Sequence, residues 1–261
     1  MSPLTITRVI NACVLLEFGE DAVLTDPYFT EHWFMRFREP IGLKVSQLPR
    51  LSAILGGHSV FDHWRPSSLR DYPFKEETPV FVATKSMMVK ARAAGFTKVE
   101  VLDWGEARRL TSRLDLEVAP AQTVTGLKVN NYVLSSGDLR VFFGSEARDL
   151  EPLRRYRAAR PGVHIVLAPI DGAQILGHKL VMNGKDALDA ARILGARVLV
   201  PIHYALKPVP ILLQTPWSED DLRRFTQGAP GLEVIFLRTG EKWRYSAPMP
   251  GDETARAPAA F

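Results

Sequence analysis

The order of hydrophobic patterns along the chain constrains its fold more than any other feature. A β-rich stretch, which ends near residue 60, is followed by alternating strands and helices, and the same succession returns from residue 114 onward. Alternating strands and helices are typical of parallel sheets covered by helices. Two such halves predict an α/β protein in which two sheets pack face to face with helices outside, a four-layer αββα sandwich.

The first half begins with clear strand signals. Strict alternation predicts a strand over Leu4–Ile10, and the runs 13–18 and 22–25 predict a hairpin around a Gly-containing turn. The segment 30–45 is rich in aromatic residues and arginine and has no clear period. Because it is too apolar for a free loop, we expect it to bury against something, as a lid or as a dimer contact.

The second half of the sequence shows a series of strand and helix patterns without a linker. The patterns indicate strands over 114–119, 131–135, 139–143, 163–168, 197–202 and 232–237, and helices over 149–159, 186–194 and 219–225. No linker divides residues 1–246, so we expect a single domain there. Residues 247–261 are mostly Pro, Ala and Gly and predict a flexible tail.

Composition excludes several classes of protein. Hydrophobic residues make up 46% and charged residues 24% of the 261 residues, which is ordinary for a globular chain and excludes a disordered or collagen-like one. No apolar run approaches the roughly 20 residues that span a bilayer, and the first residues lack the pattern of a signal peptide. The single cysteine, Cys13, permits no internal disulfide. We therefore expect a cytoplasmic protein without a membrane partner.

Charge gives only weak information about partners. The formal net charge is +4, and the arginines are scattered rather than arranged in a stripe. Nucleic-acid binders usually concentrate basic residues on one face, so a nucleic acid is not expected as a partner. The charge would suit a small anionic substrate without requiring one. The sequence leaves a homo-oligomer open, with segment 30–45 as the candidate contact.

One polar cluster carries the chemistry. His58, Asp62 and His63 follow a buried strand that ends in two glycines, where the backbone can approach a site closely. His203 stands at the end of a second apolar strand, and α/β folds place their sites at such ends. Imidazoles and a carboxylate suit a divalent metal such as zinc.

These motifs resemble the metallo-β-lactamase superfamily, most closely its ascorbate-6-phosphate-lactonase-like branch. The resemblance covers nearly the whole chain. Its motifs are the hairpin end 24–28, the histidine loop after Gly57, Gly144 after a strand, the stretch 200–204, and Gly240 after the closing strand. It implies the αββα fold and a hydrolytic metal centre.

The resemblance also shows which of the family's ligands are missing. The family signature is His-x-His-x-Asp-His, and Val60 replaces its second histidine. Residues 120–123, with Thr123, contain no counterpart of the next histidine. Ser145 stands where the family has its bridging aspartate, whereas His203 matches the last histidine.

Sorted by metal, the resemblance implies that only one site survives. The first metal keeps only His58 of its four ligands, whereas the second keeps Asp62, His63 and His203. Glu146, next to the missing aspartate, is a candidate substitute ligand. One divalent ion (zinc, manganese or iron) is therefore the expected cofactor, and none if the site is fully degenerate.

Other residues are expected around this centre. Asp62 and His58 are the candidate catalytic residues, which would orient a water molecule or move a proton. Asp26 is expected to support the metal loop through hydrogen bonds, and Ser145 to lie beside it. Asp171, His178 and Tyr204 are expected at the rim, where Tyr204 could donate a hydrogen bond or simply pack.

Two functions remain open from sequence. The first is a mononuclear metal-dependent hydrolase of an ester, lactone or phosphoester. The second is a divergent member that has lost its metal and acts as a metal-free enzyme or as a ligand-binding or scaffold protein, since Val60, Thr123 and Ser145 replace three ligands together. A nuclease ranks last, because neither a second metal site nor a nucleic-acid clamp is visible.

Overall fold

The structure, a computed structural model, describes residues 3–32, 36–124, 126–209, 212–226 and 231–246. The predicted tail 247–261 lies outside these residues. In the described part of the chain, no helix is both long and apolar enough to cross a bilayer.

The first half forms mainly strands, one α-helix and two 3-10 helices. Its elements are β1 (Leu4–Ile10), β2 (Cys13–Phe18), β3 (Asp21–Thr25), a 3-10 helix (Val45–Gln47), β4 (Ala53–Gly56), a second 3-10 helix (Pro66–Leu69), β5 (Val80–Val82), α1 (Lys85–Ala93) and β6 (Val99–Val101). These bounds confirm the predicted opening strand and hairpin. Thr84 begins α1 by accepting a hydrogen bond from the Met87 amide, as an N-cap residue does.

The second half contains the remaining helices and strands. Its elements are β7 (Ala107–Arg109), β8 (Asp115–Ala119), β9 (Thr123–Val124), β10 (Leu127–Lys128), β11 (Asn131–Ser136), β12 (Leu139–Phe143), α2 (Glu151–Ala159), β13 (Ile165–Pro169), β14 (Gln174–Ile175), β15 (His178–Lys179), α3 (Gly184–Ile193), β16 (Val198–Ile202), β17 (Leu213–Gln214), α4 (Glu219–Thr226), β18 (Glu233–Val234) and β19 (Lys242–Tyr245).

Two seven-stranded sheets organise the fold. Their strand orders are β19-β1-β2-β3-β4-β5-β6 and β18-β16-β13-β12-β11-β8-β7. In each sheet one part is antiparallel, and the strands from β3 to β6, or from β12 through β13 and β16 to β18, run parallel. This arrangement explains why each half of the sequence shows hairpins followed by alternating strands and helices.

The hydrophobic core lies in three layers. One cluster joins the facing sides of the two sheets, for example Leu16 and Leu55 of the first with Phe143 and Val200 of the second. A second cluster packs α1 against the outer side of the first sheet, and a third packs α2, α3 and α4 against the second. The architecture is therefore the expected αββα sandwich.

The segment 232–237 was predicted wrongly as a long strand. Only Glu233 and Val234 pair with β16, at the edge of the second sheet. The chain then leaves the ladder, and the Leu237 carbonyl accepts hydrogen bonds from the Arg8 guanidinium and the Tyr204 hydroxyl instead. The strand that closes the first sheet is β19, which pairs with β1 and which the sequence reading missed.

The aromatic segment packs against its own chain in its described part. Phe37 is buried and lies edge-to-face on Tyr28, with ring centroids 5.2 Å apart. The Arg38 amide donates to the Ala205 carbonyl at 2.7 Å, which ties the segment to the chain just after His203. Residues 33–35 lie outside the described chain, so the lid and dimer interpretations of the segment stay predictions.

Candidate metal centre

Strand ends from both sheets bring the predicted polar residues together. Each follows the carboxyl end of a strand that belongs to the parallel part of its sheet, which is where open α/β sheets place their sites. Asp26 follows β3, Gly57 and His58 follow β4, Ser145 and Glu146 follow β12, Asp171 follows β13, and His203 follows β16. Asp62 and His63 lie on the loop that begins at His58.

Three side chains converge on one point. The Nε2 atoms of His63 and His203 lie 3.0 Å apart. The Asp62 Oδ2 atom lies 3.3 Å from Nε2 of His203 and 3.7 Å from Nε2 of His63. Donor atoms that share one ion at about 2.0–2.2 Å stand about 3–4 Å from each other, so this set fits a single divalent metal.

A carboxylate holds the far side of each imidazole. The Nδ1 atom of His63 donates to Asp26 at 2.8 Å, and Nδ1 of His203 donates to Asp171 at 3.1 Å. With one proton held on Nδ1, each ring can offer the lone pair of Nε2 to an ion once Nε2 itself is deprotonated. The two Nε2 atoms lie 3.0 Å apart, so both lone pairs can then serve the same ion. Carboxylate–histidine pairs of this kind are the usual outer support of metal ligands.

Asp26 also holds the backbone of the histidine loop. It accepts a hydrogen bond from the Gly57 amide at 2.7 Å and another from the Ser145 hydroxyl. A Cβ atom on Gly57 would lie 2.3 Å from Cβ of Ser145, so only glycine permits this close approach. Ser145 therefore stands on the Nδ1 side of His63, away from the point where the Nε2 atoms converge.

Glu146, and not Ser145, presents a carboxylate to the converging donors. Its Oε2 atom contacts Nε2 of His63 and lies 3.5 Å from Nε2 of His203. The same atom lies 3.8 Å from Nδ1 of His58. Glu146 is buried, and its carbonyl accepts a hydrogen bond from the Gln122 amide at 2.7 Å. The longer side chain of Glu146 thus reaches the converging Nε2 atoms, which the Ser145 hydroxyl does not.

His58 is buried beside this cluster without a hydrogen-bond partner for either ring nitrogen among the described residues. A buried polar group without a partner costs about 1–3 kcal/mol, and native proteins rarely tolerate it. The ring therefore has both nitrogens available for a ligand or for a proton that moves in the site.

The backbone around the centre is strained. Asn11, Asp26 and His203 have φ angles of 44°, 36° and 56°, a left-handed region that side chains other than glycine seldom adopt. The backbone amide of His203 donates to the backbone carbonyl of Asn11 at 3.1 Å. The side-chain Nδ2 atom of Asn11 donates to Oδ2 of Asp62 at 3.4 Å. Strained residues cluster at functional sites because a packed surrounding holds them there.

The protein's own charges favour positive charge at the centre. Burial opposes the charged form of His63, but the carboxylates of Glu146 and Asp62 outweigh it and raise the pKa of His63 to about 10. Burial opposes the charged form of His203 as well, but Asp171 outweighs it and raises the pKa of His203 well above its usual value. Burial opposes the carboxylate of Glu146, yet His63 and the other histidines hold its pKa well below the usual range.

The pKa of Asp171 is shifted in the opposite direction from that of Glu146. Burial raises the pKa of Asp171, and the attraction of His203 offsets this only in part. It is buried and contacts His203 directly, so it lies behind a candidate ligand at the edge of the cluster.

A cavity of about 440 Å³ opens above the centre. His58, Asp62, Glu146 and His203 form its buried floor. The walls are apolar and come from the histidine loop, the hairpin of β14 and β15, and the chain around β17. They include Val60, Ile175, Leu180, Val209, Leu212 and Leu213.

Two predicted rim residues do not join the cluster. His178 is exposed on β15. The Tyr204 hydroxyl donates to the Leu237 carbonyl at 2.8 Å, and its ring lies 3.9 Å from the Arg8 guanidinium carbon. Of the two interpretations offered for Tyr204, the packing one describes these contacts.

The sequence analysis missed Asn11 and the apolar walls. Asn11 stands between two predicted strands, and asparagine is one of the few residues that tolerate a left-handed turn, which is a weak signal. Ile175 and Leu213 lie on two-residue strands and the other wall residues lie on loops or turns, so none of these segments is long enough to give a hydrophobic period.

Comparison with known proteins gives a family and a fold. The sequence model of the beta-lactamase superfamily domain matches residues 21–204. Among curated proteins, none matches the sequence significantly.

Three similar solved structures extend over almost the whole chain. A novel metallo hydrolase from the archaeon Ignicoccus hospitalis is 15% identical, with a TM-score of 0.74, over 94% of this chain and 99% of its own. An isothiocyanate hydrolase from Delia radicum gut bacteria is 16% identical, with a TM-score of 0.75, over 93% and 99%. A protein described as a possible metal-dependent hydrolase from Veillonella parvula is 17% identical, with a TM-score of 0.75, over 93% and 99%.

At these identities the structural likeness establishes the fold, and the match to residues 21–204 establishes the family. The protein has a metallo-β-lactamase fold, and the chain belongs to the beta-lactamase superfamily domain family.

Proposed function

We propose that the protein is a hydrolase that uses one divalent metal ion held by Asp62, His63 and His203, with Glu146 as a further carboxylate donor. The observation that carries this proposal is the convergence of Nε2 of His63, Nε2 of His203 and Oδ2 of Asp62 within 4.8 Å, with a carboxylate behind each imidazole. Purely structural histidine pairs have no need for such paired outer support. Zinc, manganese and iron all suit this donor set.

One ion, rather than two, is part of the proposal. Val60 has no donor atom at the position of the second signature histidine, and the hydroxyl of Ser145 is engaged with Asp26. The motif is thus degenerate for a second metal. Placement in the ascorbate-6-phosphate-lactonase-like branch rests on the sequence motifs and belongs to the same proposal.

The residues of the floor can perform the proton transfers of a hydrolysis. A bound divalent ion would supply Lewis-acid activation of water and of the substrate carbonyl or phosphoryl group. Asp62, at the cavity floor, orients the attacking water and accepts its proton. His58, whose ring nitrogens have no other partner among the described residues, can take this proton over from Asp62 and deliver it to the leaving group, which restores the Asp62 carboxylate. Asp26 and Asp171 keep the two ligand rings in place.

The names of the structural neighbours support the reaction class. One of the three is described as a metallo hydrolase, one as an isothiocyanate hydrolase and one as a possible metal-dependent hydrolase. None of them defines the substrate of this chain, which we take as an ester, a lactone or a phosphoester.

Elemental analysis tests the proposal directly. We expect about one metal ion per chain in the isolated protein, or after incubation with zinc, manganese or iron followed by desalting. The protein should then hydrolyse at least one ester, lactone or phosphoester, and a chelator should stop the reaction. Absence of metal under every condition would contradict the proposal and favour the alternative, a family member that binds a ligand in the cavity without metal.

Metal binding should release protons. Because the pKa of His63 is raised to about 10 and that of His203 is raised well above its usual value, both imidazoles carry an extra proton at pH 7 in the chelated protein. An ion can bind only when Nε2 is deprotonated, so one proton should leave each ring. The apparent affinity should therefore rise with pH through about pH 10, where His63 loses its extra proton.

Titration calorimetry in buffers of different ionisation enthalpy measures this release. The released number should fall between pH 7 and pH 10, where His63 loses its extra proton without metal. The stability of the chelated protein should change with pH in the opposite direction from the metal affinity. The stabilisation that charged His63 contributes is fully present below pH 6.5 and is lost as the pH rises through about 10. A pH-independent affinity would contradict the assignment of both rings as ligands.

A further inference from the structure

The cavity above the centre differs from what the net charge suggested about the substrate. Outside the floor, the described residues that line it carry one charged side chain, Lys207, and this side chain is exposed. Asp62 and Glu146 place two carboxylates on the floor. With one dication bound, the floor has no excess positive charge to attract an anion. A buried anionic group would lose its hydration there without a partner.

The walls favour a hydrocarbon or aryl group. Ile175 of β14 and Leu213 of β17 are paired across neighbouring strands and form one continuous apolar surface. Leu180 lines the cavity and packs on its other side against Ala121 and Val129. The volume of about 440 Å³ lies in the lower part of the range of roughly 300–1,000 Å³ that is usual for small-molecule sites.

Exposed apolar side chains mark the outer part of the same cavity. Leu212 is 53% exposed and Ile175 is 37% exposed. Both stand on irregular or two-residue elements, where a polar side chain would not lower the stability of the fold. A contiguous exposed apolar surface on a chain of this kind usually serves binding. Here the exposed apolar surface continues inward to the floor of the cavity. A ligand that covers it would therefore extend from the centre to the protein surface.

We propose that the substrate is an uncharged small molecule whose hydrocarbon or aryl part fills this cavity while its hydrolysable group meets the floor. This inference rests on the proposed function and narrows its substrate class to uncharged esters and lactones, so that anionic phosphoesters are no longer expected. Longer apolar chains should bind more tightly until the cavity is full. Each buried methylene should improve the affinity by about fourfold.

Ligand binding without turnover tests the proposal. The full-length protein, treated with chelator, is loaded with the uncharged fluorescent probe N-phenyl-1-naphthylamine. Linear primary amides from butanamide to decanamide then compete with the probe, and alkanesulfonates of the same lengths serve as the anionic comparison. We expect the competition constants of the amides to fall about fourfold per methylene, and the sulfonates to bind more weakly than amides of equal length.

Two wall variants and one matched control locate the binding. Ile175→Asp and Leu212→Asp place a charge on the exposed part of the wall, where folding tolerates it, and should weaken the longest amides at least tenfold. Leu176→Asp changes the neighbouring residue, which is 67% exposed and does not line the cavity, so it should leave the series unchanged.

The outcomes separate this inference from the proposed function. An affinity that does not change with chain length, tighter binding of the sulfonates, or equal effects of the three substitutions would overturn the substrate class, even where metal-dependent turnover is found. A steep amide series in a protein that takes up no metal would support the ligand class and overturn the hydrolase.

Discussion

Replacement of His203 with alanine should remove the metal and the activity together. His203 supplies one of the three converging donor atoms, and its Nε2 atom lies 3.0 Å from that of His63. Loss of an outer partner of a ligand already costs about 10- to 100-fold in metal affinity or activity, so loss of the ligand should cost more than about a hundredfold. Elemental analysis after desalting, together with initial rates on the best substrate, measures both effects.

The chain offers a matched control for this substitution. His178 is also a histidine, but it is exposed on β15 and lies outside the cluster, so His178→Ala should keep the metal and the rate. Because His203 has a φ of 56°, alanine there also adds backbone strain of about 1–2 kcal/mol. His203→Asn tolerates this conformation better, and it should still lose the metal. Full metal content in a folded His203→Asn variant would contradict the ligand assignment.

How much of this centre the sequence revealed depends on where the residues lie. His58, Asp62 and His63 share one loop directly after a glycine-terminated strand, and His203 ends another strand, so their meeting could be predicted from local patterns and from the rule that sites lie at strand ends. The role of Asp171 could not be predicted from its neighbours. Its hydrogen bond to His203 joins residues 32 positions apart and depends on the turn after β13.

The fold could be predicted for similar reasons. The prediction failed where contacts between distant residues override the local hydrophobic pattern. Long strands with clear alternation, such as β1, were placed correctly. The apolar run 232–237 has the composition of a strand, but the Leu237 carbonyl is drawn to buried Arg8 and to Tyr204, which ends the pairing after two residues. The missed strand β19 does alternate polar and aromatic residues, but over only four positions.

The cavity could not be read from sequence at all. Its walls combine a loop near residue 60, a hairpin near 175 and the chain around the two-residue strand near 213, and each contributes a few apolar side chains. Hydrophobic periodicity needs a longer element to show which side of it is buried. Formal net charge does not reveal the cavity either, because Lys207 is the one basic side chain among the described residues of its wall.

Asp26 should prove the residue on which the stability of the centre depends most. It is fully buried and accepts hydrogen bonds from Nδ1 of His63, the Gly57 amide and the Ser145 hydroxyl. Asp26→Ala would remove the acceptor that these three buried donors share and leave His63 Nδ1 only the Ser145 hydroxyl at 3.2 Å, and breaking a buried charged pair typically costs about 3–5 kcal/mol. Since whole domains are stable by only about 5–15 kcal/mol, we expect a large loss of folded protein, which denaturant unfolding of the chelated protein would measure.

A milder pair of variants separates support of the metal ligand from general packing. Asp26→Asn keeps the shape of the side chain and its oxygen as the acceptor for the Gly57 amide. The NH₂ group that replaces Oδ2 cannot accept the Nδ1 proton, so His63 must turn or change its tautomer. Metal affinity should fall about 10- to 100-fold even where the variant is folded. Ser145→Ala removes one hydrogen bond to the same carboxylate, leaves the His63 pair intact, and should cost only about 0.5–1.5 kcal/mol with unchanged metal affinity. Equal metal affinity in the Asn and Ala variants would show that Asp26 serves the loop backbone alone and does not orient His63.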